Sequence, residues 1–72
     1  TDQQRKDYVK FRFGRTRARI LDLMIDGDVD RATRLIKQWN NSFPERVLTY
    51  NDIGPEAINE RLTTKYKKRM NP

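Results

Sequence analysis

Apolar residues recur along this chain in three stretches at helical spacing. From Arg15 to Asp26, residues Ala18, Ile20, Leu21, Leu23, Met24 and Ile25 make a broad apolar face, with Arg12, Arg15 and Arg19 opposite it at intervals of three and four. Upstream, Asp2 can cap a basic segment in which Tyr8, Val9 and Phe11 alternate with Lys10 and Arg12, and Gly14 is a point at which the helix can break. Gly27 suits a left-handed stop and Asp28 the next start. Val29, Ala32, Leu35, Ile36 and Trp39 then form one stripe, with Arg31, Arg34 and Lys37 outside it and Asp28 and Asp30 at the positive end of the helix dipole. Asn40, Asn41 and Ser42 end this helix and Pro44 forbids its return.

Phe43, Val47 and Leu48 flank an irregular connection. Beyond it, Thr49 and Asp52 have the spacing of a capping box, and Gly54-Pro55 offers a second start with Pro55 at the first helical position. Ile58, Leu62, Tyr66 and Met70 follow every four residues, with Ala57 and Arg61 alongside. The pattern predicts an all-α fold of three helices, at roughly 3–26 with the weak point at Gly14, 29–41 and 50–69. The short link at Gly27-Asp28 favours an antiparallel hairpin of the first two.

The 72 residues make one small helical module with little net stability of its own. The start at Thr1 without a methionine, and the end at Asn71-Pro72 without a helix cap, suggest a piece of a longer chain. Cysteine and histidine are both absent, which removes disulfides, thiolate metal sites and the usual zinc ligand and general base. A reducing compartment or a virion interior fits this composition. No apolar run approaches ~18 residues, so no membrane span is expected, and Asn40-Asn41-Ser42 without a secretory leader reads as a chance glycosylation match.

Asp22, Asp26, Asp28 and Asp30 resemble a calcium cluster. Counted from Asp26, however, the loop glycine would be Arg31 and the closing glutamate Lys37, so helix capping explains these aspartates better. No phosphate loop and no Ser-His-Asp or Cys-His set is present, and Glu56 and Glu60, one turn apart, read as surface charge. These observations point away from an enzyme and from any cofactor, metal or small-molecule substrate.

Charge changes the picture more. The net charge is +6, and it is blocked: residues 1–19 carry seven basic and two acidic groups, residues 20–30 four aspartates, and the stretch from Lys65 four basic groups and no acid. Lys10, Arg12, Arg15, Arg17 and Arg19 at one end, and Lys65, Lys67, Lys68 and Arg69 at the other, are the candidate contacts to nucleic acid or an acidic protein surface. Tyr8, Phe11 and Phe13 interleave with the first set, a combination that neutralises phosphates and stacks bases of single strands. The competing reading has these aromatics docking the helix on a neighbouring chain, and the basic tail as a solvated helix end. A helix-turn-helix arrangement would aim Asn59, Thr63 and Lys67 at base edges, but Glu56 and Glu60 would repel phosphates there.

The run Asp28-x-x-x-Ala32-x-x-Leu35-Ile36-x-x-Trp39-Asn40-x-x-x-Pro44-x-x-x-Leu48-Thr49, with a short helix ending in Arg61-Leu62, resembles helical segments of the polyvalent protein-associated domains of very long phage proteins. These include internal virion or ejection proteins of short-tailed phages. The resemblance spans roughly residues 20–62, and Gly54-Pro55 departs from the expected final helix. It implies a non-enzymatic virion segment, packed on other virion protein chains in a homo- or hetero-oligomer, with DNA contact along the genome path. Leu21, Met24, Ile25, Leu35, Ile36 and Trp39 would carry the packing. The alternative is an autonomous cytoplasmic nucleic-acid-binding protein. Gly27-Asp28, Ala32 and Pro44 are also similar to the back half of a tetratricopeptide repeat, but Trp39 stands where that repeat wants a small residue, and no second copy follows.

Overall fold

Thr1, one residue before the expected cap, opens the first helix: its hydroxyl accepts the Gln4 N–H at 3.3 Å, and the Gln4 side chain accepts from the terminal ammonium at 3.1 Å. Asp2 lies in the first turn instead, where its charge faces the positive end of the dipole. The computed structural model describes the backbone of residues 1–70 and the side-chain environments of residues 1–65, and it is all-α. Its elements are α1 (Asp2–Ile25), α2 (Val29–Ser42), a single 3-10 turn (Pro44–Arg46), α3 (Tyr50–Ile53) and α4 (Pro55–Met70).

α1 does not break at Gly14 but runs on for 24 residues. A mid-helix glycine costs about 1 kcal/mol. Anchors on both sides outweigh it: Val9 and Phe13 before the glycine, and Ile20 and Leu21 after it, are all packed into the interior. The helix ends as the residue types predict. Gly27 has φ +82°, its N–H donates to the Met24 carbonyl at 3.1 Å, and the Asp28 N–H reaches the Leu23 carbonyl at 2.8 Å. The Asp28 carboxylate then accepts the Arg31 N–H at 3.3 Å and starts α2.

On α2 the stripe holds, except at its first member. Ala32 and Trp39 are buried and Leu35 and Ile36 half-buried, whereas Val29 is 55% exposed. Val29 lies about 60° round the helix from Ala32, in the first turn, beyond what α1 covers. Asn40, Asn41 and Ser42 remain helical, and Phe43, followed by Pro44, closes the helix. Trp39 and Asn40 shape the chain beyond. The Trp39 indole N–H donates to the Arg46 carbonyl at 2.7 Å, and the Asn40 side-chain oxygen accepts the Leu48 N–H at 2.7 Å. Both bonds satisfy backbone groups that an irregular connection would otherwise leave open.

Thr49 and Asp52 form the expected capping box, with the Thr49 N–H and hydroxyl 2.9 and 2.8 Å from the Asp52 carboxylate. The helix expected over 50–69 is two helices. Gly54 is extended, and Pro55, which has no N–H to donate, starts α4 as a separate helix. A side chain on Gly54 would run into the Tyr50 carbonyl.

The core joins Val9, Ile20, Leu21, Ala32, Trp39, Leu48 and Ala57. Phe43 stacks on Trp39 at 4.2 Å between ring centroids, and Phe13 meets it edge-on at 5.7 Å. α1 is the common wall against which α2, α3 and α4 all pack. The residues expected to pack on partner chains serve this interior. Leu21 and Trp39 are buried in it, Met24, Leu35 and Ile36 lie against it, and Ile25 is half-buried.

Candidate nucleic-acid interface

At about 100° per residue, Arg12, Arg15 and Arg19 fall within one narrow arc of α1, whereas Lys10 and Arg17 point well away from it. The structure separates the five accordingly. Arg12, Arg15 and Arg19 share one shallow outward surface with Thr16, Asp22 and Asp26. Lys10 stands beside Lys6, Val9 and Phe13 on a groove of about 720 Å³ that Arg46 closes from the 3-10 turn. Arg17 turns inward, and its Nε donates to the Asp52 carbonyl at 2.7 Å, which ties α1 to α3. The basic block is thus one row of three arginines, one groove-side lysine and one structural arginine.

Lys65 also has an internal role, with its ammonium 2.9 Å from Asp22. Lys67, Lys68 and Arg69 lie outside the described side chains. Asp22 also receives Arg61 in a two-pronged contact, Nε to Oδ1 at 3.0 Å and Nη2 to Oδ2 at 3.1 Å. Sequence reasoning missed this cluster, because Arg61 and Lys65 stand 39 residues or more from Asp22 and no local pattern announces it. Its electrostatic effect is plain. The Arg61 hydrogen bonds overcome the cost of burial, Lys65 adds to them, and the Asp22 carboxyl falls from its ordinary 3.8 to about 2.

A carboxyl held below its unfolded value contributes stability that is complete above about pH 4 and lost as the pH falls through about 2. Asp22 is 34% exposed, so solvent screening reduces the contribution to about 1 kcal/mol. Urea unfolding of Arg61→Gln against the parent should show that loss at neutral pH, and the gap should narrow on acidification across this window. A constant gap across the window would show that Asp22 does not carry it. At the other end of the chain, burial opposes ionisation of Asp52, but Thr49 and Arg46 outweigh it and hold its carboxyl below the usual range.

The remaining ion pairs draw other cations out of the candidate surface. Arg5 binds Glu45 at 3.0 Å, Arg31 reaches Asp28 at 3.6 Å, and Arg46 contacts Asp52 at 3.4 Å while lying 3.9 Å over the Phe13 ring. Among the described residues, Arg12, Arg15 and Arg19 enter no ion pair, and all three are exposed. They span about 10 Å along the axis, since each residue rises 1.5 Å. The acidic end of the surface is partly neutralised, because Asp22 already holds two cations.

The three interleaved aromatics have also parted. Phe13 is committed to Trp39, Tyr8 lies 6.3 Å from Phe43 while staying 50% exposed, and Phe11 is the most exposed of the three, at 61%, beside the arginine row. Asn59 and Thr63 on α4 are exposed, and so are Glu56 and Glu60 on the same helix. What the surface can do chemically is neutralise phosphates or carboxylates and offer one flat apolar ring. No protein-family model, curated protein or solved structure matches this chain.

Proposed function

We propose that this chain is a non-enzymatic helical segment of a phage virion protein that contacts nucleic acid through the outward side of α1. One observation carries the reading: Arg12, Arg15 and Arg19 form an exposed row on one narrow arc of α1, and none of the three has an acidic partner among the described residues. Exposed cations that the fold does not use are available to release counterions from a polyanion. The virion context rests on the resemblance. Trp39, Asn40, Pro44 and Thr49, which carry it, build the turn between α2 and α3 through the Arg46 and Leu48 bonds and the Thr49 cap.

Salt is the test. Anisotropy of a labelled oligonucleotide should give an affinity that falls linearly on a log-log salt plot, with a slope of about −2 to −3 for three phosphate contacts. Arg12→Gln, Arg15→Gln and Arg19→Gln together should flatten that line without loss of helicity. Binding that ignores salt, or that survives the triple change, would sink the proposal. A second reading, docking of this segment on another virion chain, is favoured by the groove floored by Val9 and Phe13 between α1 and the 3-10 turn. On that reading, complex formation with virion protein persists at high salt.

A further inference from the structure

Phe11 is an anomaly for a chain that hides its other phenylalanines. Phe13 and Phe43 are half-buried on Trp39, whereas Phe11 is 61% exposed on a helix flanked by cations. Nothing in the core requires it. Around α1 it lies about 40° from Arg15, and every member of the arginine row falls within about 100° of it. The Arg15 guanidinium carbon sits 5.7 Å from the centre of the ring, close enough to bias its orientation.

With the Arg15 guanidinium over one side of it, a ring this exposed has its other face to offer to another flat group. In duplex DNA or RNA the base faces are already occupied by their neighbours, so such a ring gains little there. A single strand has free base faces, and stacking on an aromatic side chain is tolerant of sequence because every base has one. The row from Arg12 to Arg19 would hold the backbone of such a strand over two turns of helix, with Phe11 at its edge. Resting on the nucleic-acid reading above, we propose that Phe11 is a base-stacking platform that makes the outward side of α1 prefer single-stranded nucleic acid to duplex.

The experiment compares an oligodeoxythymidylate of about 12 nucleotides with a duplex of the same length, each titrated with the whole chain and with two variants. The parent should prefer the single strand. Phe11→Ala should lose about tenfold in affinity for it, with little change on the duplex, and Phe11→Tyr should keep the preference. Because Phe11 is exposed, circular dichroism should show all three proteins equally folded. Equal affinity for the two probes, or a Phe11→Ala variant that binds the single strand as the parent does, would overturn the platform. If the combined arginine changes still abolish binding in that case, the nucleic-acid reading survives without it. If the parent binds neither probe, both fall.

Discussion

Trp39→Ala should leave the chain unfolded at room temperature. Removing a buried tryptophan costs about 3–5 kcal/mol, and a core this small rarely supplies more than that in total. Trp39 is 4% exposed, and Phe13 and Phe43 both pack on it, so neither α1 nor the connection after α2 can close over the gap by a simple shift. The Arg46 carbonyl also loses its donor. Trp39→Phe separates the two contributions, since it keeps most of the ring packing and gives up the hydrogen bond for about 1 kcal/mol. Far-UV circular dichroism with urea titration would report both. A Trp39→Ala protein with parental helicity and an unmoved midpoint would show that the core is centred elsewhere.

Ile20→Ala is the second large effect, at about 2–5 kcal/mol. The side chain is wholly inaccessible, and it joins the same cluster as Ala32, which is equally buried. Ile20 of α1 and Ala32 of α2 share that buried cluster, so trimming the isoleucine opens a void that a side chain as small as Ala32 cannot fill. Val29→Ala is the matched control. It removes part of another apolar side chain from the same pair of helices, yet at 55% exposure it should change stability by no more than about 0.5 kcal/mol. Thermal melts of the two variants should differ widely, and similar melting temperatures would contradict the burial pattern.

The elements most legible in the sequence are those set by chemistry within a few residues. Gly27 and Asp28, the Thr49–Asp52 box and Pro55 all sit where their residue types place them, because a cap needs only its own turn. Gly14 misled because the cost of one glycine is local while the compensation comes from Val9, Phe13, Ile20 and Leu21 meeting other elements. Val29 fits the helical period, but period says nothing of where the partner helix stops. At the candidate surface, the arginine row at three- and four-residue spacing was visible in advance. Which cations the fold would claim was not: Arg17 reaches Asp52, and Lys65 and Arg61 reach Asp22, through contacts between residues at least 35 apart. Phe11 and Phe13 look alike in the sequence, and only the direction of packing separates them.

α1 has a consequence for the energetics of any ligand it meets. It packs on α2, α3 and α4, while no comparably extensive contact joins α2 to α4 among the described residues. Beside the path through the connection and α3, α1 is the strut that both flanks share, and neither is fully consolidated while it is frayed. A polyanion lying along its outward side would bind only the intact helix, and so would draw the whole folding equilibrium with it. Recognition and folding would then become a single thermodynamic event, and a marginal segment would be firmest when its cargo is aboard.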